Sequence, residues 1–367
     1  MSNSTDFKAF RRLFPALERL VWLNTATAPP GATPILEALR QAERSWEDGT
    51  FSWPAWEADA EVTRGLFARL IGAEEGSIAL QSSAAEGIAT VAWSLPKGRV
   101  VVGDREFRSN LFPWLALAEH GFEIVQAPSQ DGVVSTEALL EQIDERTVLV
   151  AVTEVQSSNG YRVRLPELAA RTREVGARLL VNATQSLGAL RFDVGEVRPD
   201  FLVTHGYKWL LAPRGAAWLY VAPERLTEVR PLAPSWKSAR DPYGEYYGGP
   251  FELAPDARKL DASLAWFSWV GARAALELLL SLDSRAVEAR CLALAAAFRE
   301  GARERGFSLV PSEAPSQTVG VAVPDPEGVR DRLAERRVVA AVRGGYLRIG
   351  FHAYNDESDV EAGLAAL

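Results

Sequence analysis

The sequence predicts an α/β fold in which helices cover both faces of a mostly parallel sheet. Short, continuous apolar runs recur over the first 221 residues, and each is long enough only for a buried strand. Helical patterns, such as residues 137–144 and 166–175, separate several of these runs. Strands that alternate with helices favour parallel pairing. Seven strands are predicted, at residues 78–80, 100–102, 124–126, 148–152, 179–181, 201–203 and 216–221.

A change in composition after the seventh strand predicts a second, smaller domain. Residues 222–256 are rich in Pro, Gly and Tyr, which indicates an irregular connection. We expect a large domain over residues 20–250 and a smaller C-terminal α+β domain over residues 251–367, on which residues 1–19 could pack. The smaller domain is predicted to contain helices at 264–281, 284–305 and 327–336, and strands at 307–310, 319–323 and 346–349.

Composition excludes several classes of function. The chain has 367 residues and a net charge of -8, with no basic stripe, so nucleic acid is not an expected partner. Its longest apolar stretches, such as 292–298, are too short to span a membrane, and the N-terminus has no apolar signal core. We therefore expect a cytoplasmic protein. One cysteine excludes an intrachain disulfide, and three widely spaced histidines do not predict a metal site.

Lys208 is the strongest candidate for chemistry. It lies shortly after the end of the predicted strand 201–203 and precedes Trp209, Leu210 and Leu211. A lysine held against apolar side chains is desolvated, which lowers its pKa and makes its amine a nucleophile toward aldehydes. Such an amine is what a Schiff base with pyridoxal phosphate (PLP) requires. The plainer alternative is a surface lysine at the end of a strand.

The neighbourhood of Lys208 resembles the class V aminotransferase family of fold-type I PLP enzymes. That family includes cysteine desulfurases, kynureninases and isopenicillin N epimerase-like proteins. Its pattern is a strand ending in Asp, two small residues, Gln or His, and, after a further strand, Lys before an apolar-Gly-Pro-x-Gly stretch. The matching residues are Gln185 and the stretch 208–215, which reads KWLLAPRG, whereas Asn182 stands where the family has Asp. The resemblance covers nearly the whole chain and implies PLP as cofactor.

The PLP phosphate requires N–H donors at the start of a helix and nearby hydroxyls. Ser83, Ala84 and Ala85 follow the first predicted strand and open a helix, so they are candidates. Ala85 stands where the family has a threonine. Ser83 could equally serve only as the cap of the helix. Thr204 and His205, shortly before Lys208, are further phosphate candidates.

The resemblance also implies partners for the PLP ring. Phe107 stands at the position of a family histidine, and a phenyl ring can stack on a pyridine but cannot shuttle protons. Gln185 is the expected donor to the phenolic oxygen O3′, with Ser157 or Ser158 close to it. Asn182 replaces the family's aspartate. A neutral amide cannot hold a proton on the ring nitrogen as a carboxylate does, which implies a weaker electron sink.

Two further features concern the partner subunit and the substrate. Ser263, within 258–263, resembles the family's hydroxyl that reaches the phosphate of the neighbouring subunit, which implies a homodimer with composite active sites. Arg348 resembles the arginine that binds the substrate carboxylate through its bidentate guanidinium. Asn24 lies in a stretch that resembles the N-terminal substrate loop.

These observations predict a PLP-dependent enzyme that transforms an amino acid through a Lys208 Schiff base, by aminotransferase or Cα/Cβ lyase chemistry. A cysteine desulfurase is not expected, since the single cysteine, Cys291, falls in an Ala-rich helix where a thiol is normally inert packing. The alternatives are an epimerase-like or kynureninase-like enzyme, and a PLP-binding protein with little turnover that acts as a binding or regulatory module. A nucleotide-binding protein lacks support, because the chain has no G-x-G-x-x-G or Walker A segment.

Overall fold

The computed structural model describes residues 5–311 and 313–367. Of the predicted N-terminal segment, residues 1–4 therefore lie outside the described residues. The strands are β1 (Val21–Trp22), β2 (Ile78–Gln81), β3 (Arg99–Gly103), β4 (Glu123–Ala127), β5 (Thr147–Thr153), β6 (Arg178–Asn182), β7 (Phe201–His205), β8 (Ala217–Val221), β9 (Thr318–Ala322), β10 (Val338–Val339), β11 (Ala341–Arg343) and β12 (Tyr346–Gly350).

The α-helices alternate with the strands in the first half of the chain and dominate the second half. They are α1 (Phe7–Arg12), α2 (Thr33–Glu47), α3 (Trp53–Ile71), α4 (Ala84–Ser94), α5 (Arg108–Leu115), α6 (Thr136–Leu140), α7 (Leu165–Val175), α8 (Val194–Val197), α9 (Trp266–Leu280), α10 (Ser284–Glu304), α11 (Pro326–Glu335) and α12 (Glu357–Ala365). None of the helices in the described residues is both long and apolar enough to span a membrane.

The central sheet confirms the predicted fold class. Its order is β2-β8-β7-β6-β5-β3-β4, and β8 runs antiparallel to both of its neighbours, while the other pairs are parallel. Alternate residues of each strand point to opposite faces of the sheet. Leu180 and Val203 therefore pack with α4 and α5 on one face, whereas Val181 and Leu202 join the core beneath α3, α6 and α7.

The C-terminal part contains a three-stranded antiparallel sheet in the order β11-β12-β9, which packs against α10. Two predictions here were wrong. Residues 307–310 form no strand but one isolated bridge, Leu309 to Val321, because Pro311 follows and has no N–H to continue the ladder. Strands β1, β10 and β11 were missed, since two or three residues are too few to show a periodicity.

The predicted helix at 137–144 is also shorter than expected. Helix α6 ends at Leu140. The chain continues with hydrogen bonds between residues three apart, in which Gln142 N donates to Leu139 O (3.1 Å) and Ile143 N donates to Leu140 O (3.2 Å). Such three-residue bonds commonly close the last turn of a helix. The predicted division into domains near residue 250 stays a prediction.

The carboxyl ends of the parallel strands position the candidate site. Strand β5 ends at Thr153, β6 at Asn182 and β7 at His205, and Thr153 pairs directly with Asn182 across the sheet. Ligands of open α/β sheets bind at this edge. Most of the side chains selected from the sequence therefore meet in one place.

Candidate active site

A cavity of about 390 Å³ lies at the carboxyl edge of the central sheet. It brings together nine of the residues selected from the sequence and five that were not selected. No aspartate or glutamate is among the lining residues, whereas one lysine and one arginine are. The lining residues are Ser83, Ala84, Ala85, Phe107, Ser109, Thr153, Ser157, Asn182, Thr184, Gln185, His205, Tyr207, Lys208 and Arg214.

Lys208 is held by the loop that joins β7 to β8. The next residue, Trp209, is buried and donates its indole N–H to Gln185 Oε1 (3.0 Å). Gly188 packs so closely on this loop that an added Cβ would lie 2.2 Å from Trp209 O, and its φ of +107° also requires glycine. The loop and its lysine are thus fixed against the segment that follows β6.

The Lys208 amine lies in an apolar and cationic environment. It is 5.6 Å from the centroid of the Phe107 ring and 5.4 Å from that of Tyr207, and it forms no hydrogen bond or ion pair with any described residue. Burial lowers the Lys208 pKa to about 7, with further lowering from Arg348 and Arg214. A large fraction of the amine is therefore neutral at physiological pH, as a nucleophile must be.

The first turn of α4 forms one wall of the cavity. Ser83 caps the helix, since its Oγ accepts from Glu86 N (3.2 Å), and the Glu86 carboxylate accepts from Ser82 N (2.8 Å). The N–H groups of Ala84 and Ala85 belong to the first turn, where a helix offers no carbonyl partners. Their small side chains leave this anion-attracting helix end accessible.

Thr204 and His205 occupy different environments. His205 lines the cavity, whereas Thr204 does not; it is buried on the other face of β7, and its hydroxyl has no hydrogen bond to a described residue. Tyr207, which was not selected from the sequence, lines the cavity instead. Burial lowers the His205 pKa to about 4, with smaller contributions from Arg214 and Lys208, so its imidazole is neutral.

Asn182 and Gln185 differ in whether their amide N–H groups are still available to donate a hydrogen bond. Asn182 Oδ1 accepts from Thr184 N (3.0 Å), which leaves its amide nitrogen with no partner among residues 5–311 and 313–367. Gln185 Nε2 already donates to Ala26 O and Ser157 Oγ, both at 3.0 Å. Since both of its N–H groups are engaged, the hydroxyl proton of Ser157 is the better placed donor for a cofactor oxygen.

Arg348 joins the C-terminal sheet to this region. Its Nη1 donates to Ser157 O and its Nη2 to Thr27 Oγ1 (2.7 Å), while its buried Nε has no partner in the described part of the chain. Burial lowers the Arg348 pKa to about 10. Arg348 as a whole is only 4% exposed and is not among the lining residues of the cavity, and its guanidinium contacts no carboxylate of the described residues.

The remaining selected residues lie outside the cavity. Asn24 accepts from Thr27 N (2.8 Å) through its carbonyl and so forms the turn that presents Thr27 to Arg348. Ser158 borders a neighbouring cavity of about 720 Å³. Ser263 is exposed and does not reach the cavity of its own chain. Glu154, which follows β5, is not a lining residue either and pairs with Arg162 at 2.9 Å.

The comparisons with known proteins identify the family of this chain. A family model described as aminotransferase class-V matches residues 50–362. The chain belongs to the class V aminotransferase family. It is 29% identical over 357 residues to an uncharacterized aminotransferase of Bacillus subtilis, YcbU, covering 96% of this chain and 94% of that protein. Isopenicillin N epimerase of Streptomyces clavuligerus is 28% identical over 331 residues, with 81% of each chain covered.

Solved structures share the fold of this class V aminotransferase homologue. The cysteine desulfurase of Thermococcus onnurineus NA1 matches with a TM-score of 0.85 at 21% identity, covering 99% of this chain and 98% of that one. The cystine C–S lyase C-DES matches with a TM-score of 0.85 at 22% identity, covering 96% and 98%. A C-DES variant carries glycine covalently linked to PLP. PLP is the cofactor of the class V aminotransferases.

The side chains of this family member fit PLP. An unpaired, largely neutral lysine suits the aldehyde, and the open end of α4 suits the phosphate. The free amide nitrogen of Asn182 can donate to a pyridine nitrogen. Tyr207 and Arg214 were missed in the sequence, although both flank the lysine loop, because neither occupies a position that the family pattern marks. Thr27 was missed because nothing in the sequence indicates its contact with Arg348.

Proposed function

We propose that this class V aminotransferase homologue transforms an amino acid by removing a group from its Cα atom, with Lys208 as the residue that holds PLP and then moves the proton. When bound, PLP supplies an electron-withdrawing ring that stabilises negative charge at Cα. The observation that carries the proposal is the Lys208 amine, buried at the strand edge that binds ligands and without an acidic partner among the described residues. A neutral amine is both a nucleophile and a general base.

The other residues bind and orient. Arg348 binds the α-carboxylate through its guanidinium, and its contacts to Ser157 O and Thr27 Oγ1 fix the plane of the fork. Phe107, which is 55% exposed at the cavity mouth, covers the reacting face and excludes water without exchanging protons. Ser157 donates its hydroxyl proton to the cofactor oxygen that Gln185, with both N–H groups engaged, does not reach.

The proposed chemistry is not that of a cysteine desulfurase. The only cysteine of the chain, Cys291, is fully buried inside α10, and burial raises the pKa of its thiol. A desulfurase needs an accessible thiolate nucleophile. The solved desulfurases therefore resemble this chain in fold, while the group that would accept sulfur is absent from its surface.

A panel of amino acids tests the function. The PLP-loaded protein is mixed with each amino acid, the visible absorbance is followed, and products are identified by mass spectrometry. Oxo acid formation would indicate transamination, loss of a side-chain fragment would indicate lyase chemistry, and inverted configuration would indicate epimerisation. PLP binding with no spectral change or product for any amino acid would contradict the proposal and favour a binding or regulatory role.

Asn182 is proposed to donate to an unprotonated ring nitrogen. Asn182→Asp places a carboxylate there, which raises the pKa of that nitrogen through the ion pair and strengthens the electron sink. We expect Cα-proton exchange of a bound amino acid to accelerate by about tenfold, equivalent to roughly 1.4 kcal/mol. Exchange into deuterium oxide, followed by NMR, measures the effect.

The nitrogen-15 shift of labelled PLP gives an independent readout of the same proposal. The unaltered protein should show an unprotonated ring nitrogen, and Asn182→Asp a protonated one. A protonated nitrogen in the unaltered protein would mean that another residue supplies the proton and that Asn182 is a tolerated replacement.

We further propose that the active unit is a homodimer with composite sites. Ser263 is exposed on its own chain, two residues after Asp261, which is anchored by Arg64 (2.7 Å). The preceding connection exposes Tyr247 (85%) and Phe251 (78%), and exposed aromatics commonly mark an interface. A second copy that covers them would bring Ser263 to the neighbouring phosphate.

Ser263→Ala tests this arrangement. The variant is expected to weaken PLP binding by about 1 to 3 kcal/mol, the value of a hydrogen bond to a charged group, while Ser308→Ala, at another exposed serine, should not. Light scattering of the PLP-loaded protein should give twice the 40.1 kDa mass of one chain. An active, loaded protein with the mass of one chain would exclude the composite site.

A further inference from the structure

Arg214 is a cation at the cavity that has no acidic partner. Its guanidinium carbon lies 5.4 Å from the centroid of the Tyr207 ring, and its side chain forms no hydrogen bond or ion pair with any residue that the structure describes. Its backbone is fixed, because its carbonyl accepts from Ser268 Oγ (2.7 Å) and the following Gly215 N donates to His205 Nε2 (3.5 Å). The side chain is thus placed beside His205.

The phosphate end of the cavity otherwise lacks a full positive charge. A helix N-terminus supplies only about half an elementary charge. His205 is neutral, Ala85 offers no hydroxyl, and Thr204 lies away from the cavity. Arg348 is not among the lining residues, and its guanidinium is engaged at Ser157 O and Thr27 Oγ1.

No carboxylate on the wall opposes a bound anion either. Aspartate and glutamate are absent from the lining residues, and Glu106, next to Phe107 in the chain, directs its carboxylate to Thr153 N (2.8 Å). A phosphate dianion in this cavity would therefore meet no repelling carboxylate among the lining residues. It would lack only a positively charged hydrogen-bond donor. A guanidinium supplies both charge and several donors in a planar fork.

We propose that Arg214 binds the phosphate of PLP and that the Tyr207 ring holds its guanidinium in place. This inference rests on the proposed function and deepens it. The first turn of α4 and the nearby hydroxyls supply no full positive charge to the phosphate. Arg214 supplies that charge. The other anion that Arg214 could bind is a second acidic group on the substrate. The experiment below distinguishes binding of that group from binding of the cofactor phosphate.

The test compares PLP with pyridoxal, which has the same aldehyde and ring but no phosphate. Arg214→Gln is expected to raise the Kd of the apoenzyme for PLP by about 10- to 100-fold, as for the loss of a charged hydrogen bond. The Kd for pyridoxal should stay within about twofold, since the contact is made only to the phosphate. Arg214→Lys, which keeps the charge but not the fork, should lie between.

Arg108→Gln is the matched control, because Arg108 also stacks on an aromatic ring, Phe112 (5.6 Å), but borders the neighbouring cavity. It should change neither Kd. Equal losses of PLP and pyridoxal in Arg214→Gln would show a structural role and overturn the proposal. An unchanged PLP affinity in Arg214→Gln would overturn it as well. If KM then rose only for dicarboxylic amino acids, Arg214 would bind the second carboxylate of the substrate. If the unaltered protein binds neither aldehyde, the proposed function itself fails.

Discussion

Replacing Lys208 with alanine is expected to lower the rate of amino-acid turnover by at least about 10³-fold, since acid–base catalysis alone contributes 10² to 10⁴. The variant loses the nucleophile for the aldehyde and the group that moves the Cα proton. Its fold should persist, because the amine forms no hydrogen bond or ion pair with a described residue and its burial is unfavourable for the charged form. Turnover is measured with the amino acid identified from the panel.

Lys97→Ala serves as the control, because Lys97 is exposed and is not among the residues that line the cavity. It should leave turnover unchanged. Turnover in Lys208→Ala within tenfold of the unaltered protein would contradict the assignment of Lys208.

The lowered Lys208 pKa also predicts a pH dependence for PLP capture. Below a pKa of about 7 the amine is mostly protonated and cannot attack an aldehyde, so the rate should fall about tenfold per pH unit. Above that pH the amine is neutral and the rate should level off. An ordinary exposed lysine would instead keep gaining rate to about pH 10. Stopped-flow absorbance of the apoenzyme mixed with PLP distinguishes the two profiles.

Arg348→Lys should lower kcat/KM for the amino acid by about 10²-fold or more, while PLP affinity stays unchanged. The lysine keeps the charge but cannot donate to Ser157 O, Thr27 Oγ1 and a carboxylate together. Loss of one partner of a buried charged contact costs about 2 to 5 kcal/mol. Steady-state kinetics and a PLP titration on the same preparation give both quantities.

Arg343→Lys provides the comparison, since Arg343 is an exposed arginine on the neighbouring strand β11. It should be silent in both assays. If Arg348→Lys lost PLP affinity or thermal stability in proportion to its loss of activity, Arg348 would be a structural residue that links the two sheets.

Much of the fold could be predicted because most strands of the central sheet are short, continuous apolar runs buried on both faces. Strands β5 and β7 were both located to within two residues at each end, since the helices between such runs leave few other topologies. The C-terminal sheet was harder, because β11 has only three residues. Although β11 and β12 form a hairpin through Gly344 and Gly345, the pairing of β12 with β9 is a contact between segments separated by α11. Such contacts leave no periodicity in the chain.

The site was predictable where a residue type and its spacing determine the chemistry. Lys208 and Asn182, which the sequence places after predicted strand ends, both line the cavity. Thr204 shows the limit: it lies one residue from His205, yet the alternation of a strand turns it to the other face. Both N–H groups of Gln185 are engaged by Ala26 and Ser157, which belong to distant segments, and no local sequence pattern contains such contacts.

The most direct test of the account is the identity of the lysine that binds PLP. Sodium borohydride reduces the C=N bond between a lysine and PLP to a stable amine, and peptide mapping by mass spectrometry then locates the pyridoxyl group. We predict the label on Lys208, and none on Lys237, which is buried but paired with Glu57 (3.0 Å) and Glu61 (2.7 Å) so that its pKa is raised. A label on Lys237 or on any lysine other than Lys208 would contradict the account.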